Sequence, residues 1–337
     1  MEKLGKKKLD MQKLLAPAAL VILYIVFSIF GNNFLSLDMV KNILESSYYI
    51  GFMAFGVTFI IITGGIDLSL GTVMMCAALL GGYVFKQGWP LILAIALTLF
   101  VGIAFGFVNG VLIAKLKLPP FIATLGTQMM SMGFGSIITK VQSQTWPTAT
   151  AEVGGWFKKV FIRAELFGIK GFPVGAFWLI GFFIIAALIL HKTKFGRYVY
   201  AIGSNRTTAL YSGVPVQRVR IICYAMTGLI SGLSAILYAS WMGSIRWDIA
   251  TGYELEAISM VVLGGISTAG GKGNFPGTVI SIFTIGLLKY GLGLINVNSQ
   301  TILMIIGAIL ILVVMLPNIR DSIAARRAVE AQRQKSV

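Results

Sequence analysis

The chain has 337 residues, of which 57% are hydrophobic and 12% are charged, with a net charge of +16 and a mean hydropathy of +0.85. A soluble protein of this length would carry about 25% charged residues, so the composition excludes an ordinary soluble domain. The Lys and Arg residues are spread between apolar blocks, which argues against a nucleic-acid partner and makes membrane lipid the expected surrounding.

Ten apolar segments follow one another along the chain, each near the ~20 residues that cross a bilayer as a helix. Their approximate bounds are 14–30, 48–63, 70–85, 91–114, 120–139, 172–190, 219–243, 257–267, 276–294 and 300–316, and the second, third and eighth are short. Because lipid offers the backbone no hydrogen bonds, the segments are expected to be helical. The sequence predicts an all-α polytopic membrane protein with an N-terminal tail 1–13, one membrane domain 14–316 and a C-terminal tail 317–337.

The basic residues predict the orientation. With ten crossings both tails lie on one side, and that side carries 19 Lys and Arg residues against eight on the other. Connections rich in Lys and Arg stay in the cytoplasm, so both termini are predicted to be cytoplasmic.

Glycines recur at four-residue spacing in two segments. The first group is Gly102, Gly106 and Gly110, and the second is Gly228 and Gly232. Such spacing lets helix backbones approach closely, which predicts a packed bundle without indicating a chemistry.

A glycine-rich interruption occurs twice, at an offset of 200 residues. Residues 62–71 read ITGGIDLSLG, and residues 262–271 read VLGGISTAGG. Paired interruptions in corresponding halves point to a transport pathway, since freed backbone groups are tolerated in a membrane only beside protein or water. We therefore expect two related halves, with two unrelated glycine-rich turns as the alternative. The pathway candidates are Gly64, Gly65, Asp67, Ser69, Gly264, Gly265 and Ser267.

Asp67 is the one acid within these motifs. An ionisable residue at membrane depth is a functional hypothesis by default, because burying a charge is costly. It could bind a solute hydroxyl, gate the pathway or cap the segment that follows. Capping is favoured, because a helix start directly follows it.

The cytoplasmic connection 190–220 is too long for a simple turn. Asn205 suits an N-cap, Gly213 a left-handed helix end, and Pro215 prevents continuation, so about two helical turns are expected over 206–212. A helix this short is marginal alone and must pack, either on its own bundle or in a partner. The candidate contact residues are Asn205, Arg206, Ala209, Leu210, Tyr211, Gly213 and Pro215.

The order and wording of the motifs resemble the membrane subunits of ATP-binding-cassette sugar importers of the ribose, galactoside, autoinducer-2 and rhamnose group. The resemblance covers about residues 15–317, and its matching stretches are 64–69, 118–127, 195–215 and 262–266. It adds Thr124, within the second stretch, as a pathway candidate. It implies a bacterial inner-membrane permease that pairs with an identical or a different permease subunit.

The same resemblance implies a cytoplasmic ATP-binding-cassette ATPase and a periplasmic sugar-binding protein as partners. It also implies that this chain binds no cofactor, ATP and magnesium being held by the ATPase. In that family the short helix after Asn205 would be the coupling helix, which sits in a cleft of the ATPase.

Three classes of membrane protein were compared. A secondary transporter needs intramembrane ionisable residues for ion coupling, and only Asp67 and Lys289 qualify in the predicted segments. An enzyme needs clustered His, Cys or carboxylates, whereas the chain has one His and two distant cysteines, so no catalytic or metal-binding residue is predicted. We expect a permease that translocates a small sugar such as autoinducer-2, rhamnose or ribose, with a secondary transporter of a small neutral solute as the alternative.

Overall fold

The computed structural model describes residues 11–30, 36–147, 155–166, 169–315 and 319. The described chain is mostly helical. Its helices are α1 (Met11–Phe30), α2 (Leu37–Ile62), α3 (Leu70–Lys86), α4 (Leu91–Ala114), α5 (Pro120–Thr139), α6 (Trp156–Phe161), α7 (Gly175–Lys192), α8 (Lys194–Ser204), α9 (Arg206–Tyr211), α10 (Val216–Met242), α11 (Tyr253–Leu263), α12 (Phe275–Leu294) and α13 (Ser299–Met315).

Short strands qualify the all-α prediction. Strand β1 (Gln144–Thr145) pairs antiparallel with β4 (Ser244–Ile245), and β2 (Arg163–Leu166) pairs antiparallel with β3 (Ile169–Pro173). All four lie in connections between long helices. Their backbone groups need partners that no helix supplies, and two-stranded pairing provides them.

Six of the described helices are long and apolar enough to cross a membrane, namely α2, α4, α5, α7, α10 and α12. Shorter apolar helices lie within α1 and at α3 and α13, and α11 has 11 residues. Each of the ten predicted segments overlaps one of these ten helices. The multi-pass helical fold is therefore observed, while ten crossings remain a prediction.

The prediction that the second segment is short is wrong. Helix α2 has 26 residues and begins at Leu37, where the Ser36 hydroxyl accepts a hydrogen bond from the Met39 amide at 3.2 Å. Polar residues of its first half, such as Glu45 and Ser47, are buried against other helices. A prediction from hydropathy makes such a segment too short, because it places polar side chains outside the membrane.

The glycine spacing predicts close helix packing, and the structure shows that the glycine faces of α4 and α10 pack against each other. A Cβ atom at Gly102 would overlap the carbonyl oxygen of Gly228, and one at Gly106 would overlap the carbonyl oxygen of Tyr224. A Cβ atom at Gly232 would lie 3.1 Å from the carbonyl oxygen of Thr98. The two backbones therefore touch along several turns. Helix α2 packs on α10 and also contacts α7, α11 and α12.

Helix α11 differs from the prediction for the eighth segment, which placed it at 257–267. It begins at Tyr253 and ends at Leu263, because Gly265 has a φ of 92° and stops it. Its start lies beside the start of α3, since a Cβ atom at Gly71 would be 2.7 Å from the carbonyl oxygen of Ala250. At 1.5 Å per residue it spans about 16 Å, roughly half a membrane crossing.

Candidate translocation pathway and coupling segment

Both glycine interruptions end a helix in the same way. Gly64 follows α2 with a φ of 75°, and Gly265 follows α11 with a φ of 92°. In each case the amide of the next residue donates to the carbonyl oxygen five residues earlier, at 3.0 Å and 3.2 Å. This left-handed ending satisfies carbonyl groups that the helix leaves unpaired. Aligned by these ends, the offset is 201 residues, because Gly64 corresponds to Gly265 and not to Gly264.

The two interruptions meet each other and the end of α8. The Gly271 amide donates to the carbonyl oxygen of Ile62 at 2.8 Å. A Cβ atom at Gly270 would lie 2.9 Å from the Gly64 amide nitrogen and 3.1 Å from the Gly203 carbonyl oxygen. A Cβ atom at Gly203 would overlap the Ile62 carbonyl oxygen. We call this contact of three backbones the glycine junction; it consists of Ile62, Gly64, Gly203, Gly270 and Gly271.

The remaining pathway candidates occupy different surroundings. A Cβ atom at Gly65 would lie 2.8 Å from the Tyr224 hydroxyl, and one at Gly264 would lie 2.5 Å from the Thr278 amide nitrogen, so both glycines allow close packing. Ser267 forms a turn in the second interruption, its amide donating to the Lys272 carbonyl oxygen at 3.1 Å.

Thr124 belongs to α5. It is fully buried, and its hydroxyl donates to the carbonyl oxygen of Pro120 at 2.8 Å, within its own helix. The structure therefore gives Thr124 a bond inside α5 and does not bring it into the glycine junction.

A chain of buried hydrogen bonds holds the first interruption. The Asp67 Oδ1 atom accepts from the Ser69 amide at 2.9 Å and from the Ser69 hydroxyl at 2.6 Å. The Asn109 Nδ2 atom donates to the Ser69 hydroxyl at 2.9 Å, and its Oδ1 atom accepts from the Thr127 hydroxyl at 2.8 Å. Asp67 thus orients Ser69, which precedes α3, instead of bonding to an amide inside that helix. Capping holds only in this indirect form.

The sequence interpretation missed Asn109 and Thr127. Both are uncharged and lie within apolar spans, so the local sequence pattern does not single them out. Each is buried, and together they join the first interruption to α4 and α5. The Tyr224 hydroxyl adds a bond from α10, donating to the Ile66 carbonyl oxygen at 3.1 Å. Three spans, α4, α5 and α10, therefore restrain this stretch.

Helix α8 is not predicted from the sequence, because only one short helix is expected within the connection 190–220. The Thr193 hydroxyl accepts a bond from the Gly196 amide at 3.2 Å and so caps its start. Val199 and Ile202 are buried on one face, while polar residues occupy the other. This amphipathic spacing was the available signal.

The predicted short helix is present as α9. The Asn205 Oδ1 atom accepts from the Thr208 amide at 3.0 Å, and Gly213 follows the helix with a φ of 80°. Pro215 directly precedes α10. These positions match the expected cap and stop signals.

Only part of the predicted contact surface of α9 is accessible. Leu210 and Tyr211 are 59% and 87% exposed, and Arg206 is exposed as well. Ala209, which was predicted to belong to this surface, is 4% exposed and packs on its own chain. We call the accessible part (Arg206, Leu210 and Tyr211) the α9 surface.

Two buried carboxylates in the first turn of α11 were not predicted, because the segment was placed four residues too late. The Gln128 side chain donates to Glu254 Oε1 at 3.3 Å, and Lys289 Nζ donates to Glu256 Oε2 at 2.9 Å. Acidic side chains are favourable at a helix N-terminus. In the described part of the chain, no three His, Cys, Asp or Glu side chains are grouped as a metal ion would require.

The chain matches a known protein family over most of its length. Residues 39–314 match a family model described as the permease component of branched-chain amino acid transport systems. The chain belongs to this permease family. No solved structure matches it.

Curated relatives of this permease extend the match. It is 39% identical over 306 residues to the ribose import permease protein of Bacillus subtilis. The aligned stretch covers 91% of this chain and 92% of the relative. It is 35% identical over 305 residues to the ribose import permease protein of Escherichia coli, with 89% and 92% covered. It is 36% identical over 301 residues to an autoinducer 2 import system permease protein of Escherichia coli, with 89% and 90% covered.

These relatives confirm the resemblance drawn from the sequence motifs. Together with the six apolar helices, they identify a multi-pass protein of the bacterial inner membrane.

Proposed function

We propose that this permease is the translocation subunit of an ATP-driven importer and moves a small sugar, such as ribose or autoinducer-2, into the cytoplasm. ATP and magnesium bind a separate ATPase, and a periplasmic protein delivers the sugar. The ten crossings, with both termini in the cytoplasm, belong to this proposal.

The glycine junction is the observation that carries the proposal. Helix α8 ends at Ser204 and α9 begins at Arg206, so the junction residue Gly203 lies only three residues from α9. The junction joins α8 to both interruptions through backbone contacts. Close-packed backbone transmits displacement with little loss. A partner that moves α9 therefore moves both interruptions together.

The α9 surface supports an ATPase as that partner. Tyr211 and Leu210 leave a large apolar area exposed on a six-residue helix, and Arg206 adds a charge beside it. Exposed aromatic, aliphatic and Arg side chains are the anchors that dominate protein interfaces. An ATPase cleft would cover them and apply force at the end of α8.

Helix α5 supports a second permease subunit, identical or different. Helices α4, α5 and α7 are the least buried of the six long spans, yet α5 is clearly less apolar than the other two. Its Gly126 and Gly133 have no described atom within 4 Å of a Cβ position. Lipid favours apolar faces, whereas a neighbouring helix favours small residues, so a partner is the better cover for α5.

The relatives support a sugar as substrate, although the family model is named for branched-chain amino acids. The test is uptake by proteoliposomes that hold the permease, its ATPase and its binding protein. We expect ATP to drive accumulation of labelled ribose or autoinducer-2, while sodium and proton gradients drive none. The permease alone should hydrolyse no ATP. Gradient-driven sugar accumulation without the ATPase would refute the proposal, and ATP-driven uptake of leucine alone would refute its substrate.

A further inference from the structure

Four aromatic rings converge where α2, α10 and α11 meet. The ring centroid of Tyr49 lies 4.8 Å from that of Tyr238, 5.8 Å from that of Trp241 and 5.4 Å from that of Tyr253. Trp241 and Tyr253 are partly exposed, whereas Tyr49 and Tyr238 are buried behind them. We call these four residues the aromatic cluster. Two of its rings, those of Trp241 and Tyr253, are therefore partly accessible.

An ion pair borders the aromatic cluster. Lys289 Nζ lies 2.9 Å from Glu256 Oε2 and 5.6 Å from the ring centroid of Tyr253. The Lys289 side chain is 25% exposed, whereas that of Glu256 is 1% exposed. Glu256 Oε1 is buried and has no hydrogen-bond partner among the described residues. An acceptor left unpaired in a membrane domain is costly, so a ligand that donates to it gains a favourable bond.

Helix geometry places the cluster inside the membrane domain. Tyr49 is at the middle of α2, and Lys289 lies about 21 Å from the start of α12 at 1.5 Å per residue. Tyr253 begins α11, and the glycine junction lies beyond its other end, about 16 Å away. The aromatic cluster therefore lies at the start of α11, at the end opposite to the glycine junction and towards the predicted outer face.

We infer that the aromatic cluster and the Glu256–Lys289 pair form a binding site for a neutral, polyhydroxylated solute on its way to the glycine junction. This inference rests on the proposed function. Small-molecule sites between helices are lined by aromatic rings and a few polar groups that fix orientation. The C–H faces of a sugar pack on Trp241 and Tyr253. A movement of the partly exposed Lys289 side chain then lets one hydroxyl donate to Glu256 Oε1.

The pairing of the two charges favours a sugar over an amino acid. A zwitterion would need Glu256 for its ammonium group and Lys289 for its carboxylate, so it would have to separate a pair that is already closed at 2.9 Å. The zwitterion's two new ion pairs would replace one that already exists, and both of its charged groups would first lose their hydration, which is costly. A hydroxyl needs only the oxygen that is unused. The site also carries no net charge, which suits a neutral solute.

The binding test uses D-ribose as probe and the purified permease in lipid nanodiscs. Saturation-transfer NMR from protein aromatic protons to ribose C–H protons detects weak contact with ring faces. We expect a signal for the wild type, a loss of most of it in Trp241→Leu, and no reduction by excess leucine. The matched control is the Arg246→Met, Asp248→Asn double variant, which removes an exposed ion pair and keeps the signal.

Uptake provides the second measurement. Glu256→Gln should lower ATP-driven ribose uptake about tenfold, because a neutral amide oxygen accepts a weaker hydrogen bond than a carboxylate does. The single variant Glu256→Gln leaves Lys289 unpaired. The double variant Glu256→Gln, Lys289→Met is therefore measured as well, and its uptake should be lowered to the same extent. Wild-type uptake in that double variant, or an equal NMR signal in Trp241→Leu, overturns the site while the importer proposal stands. Absence of ATP-driven sugar uptake in the wild type overturns both.

Discussion

Replacing Gly270 with Ala tests whether the glycine junction couples α9 to the pathway. Gly270 has a φ of 85°, and an added Cβ atom would lie 2.9 Å from the Gly64 amide nitrogen and 3.1 Å from the Gly203 carbonyl oxygen. Gly88 is the matched control, because its φ is 89° and no described atom lies within 4 Å of its Cβ position. Both substitutions impose the same backbone strain, and only one disturbs the junction.

The magnitudes separate the two variants. A left-handed conformation costs an L-residue about 1–2 kcal/mol, which both variants share. Overpacking against backbone adds about 1–3 kcal/mol at Gly270 only. Each variant should therefore melt a few degrees below the wild type, with Gly270→Ala the lower of the two. The loss is small enough for both to insert and be purified.

The assay is ATP-driven sugar uptake beside ATP hydrolysis in the same proteoliposomes. Gly270→Ala should lose most uptake while hydrolysis by the ATPase continues, because α9 can still be moved but the interruptions no longer follow it. Gly88→Ala should transport like the wild type. If both variants transport equally well, the junction is a packing contact only and the coupling argument is refuted.

Three further predictions concern the topology, the chain of buried hydrogen bonds at the first interruption, and α9. A cysteine introduced by Ser204→Cys should react only with reagent admitted to the cytoplasm, and one introduced by Asn298→Cys only from outside; labelling of the former from outside in intact cells would contradict the ten-crossing topology. Asn109→Ala should lower the thermal midpoint by a few degrees, since two buried hydrogen bonds of about 0.5–1.5 kcal/mol each are lost, and an unchanged midpoint would show that water replaces them. Gly213→Val should weaken co-purification of the ATPase without affecting sugar binding by the periplasmic protein, because a β-branched residue resists a φ of 80°; full assembly would mean that α9 packs only on its own chain.

The sequence predicts those features that depend on residues close together in the chain. The spans follow from apolar length, and α9 follows from the capping side chain of Asn205 and the left-handed position of Gly213. The glycine faces of α4 and α10 were recognisable because their spacing matches one turn of a helix. These features need no knowledge of distant residues.

Features that depend on distant contacts were not predictable in this way. The first half of α2 can contain Glu45 because neighbouring helices cover this side chain, and hydropathy does not register such contacts. Glu254 and Glu256 were assigned to a connection for the same reason, although each is paired from another helix, by Gln128 and by Lys289. The one-residue change in the repeat offset also required the backbone, since two adjacent glycines in each copy look equivalent in the sequence.

The bond between Gly271 and Ile62 has a consequence for how the halves of the chain depend on each other. The last carbonyl group of α2 belongs to the first half, and the amide that satisfies it belongs to the second. The first half does not complete this helix end by itself, so it is not expected to hold its interruption in shape when expressed as a separate fragment. Two co-expressed fragments should instead associate and restore it.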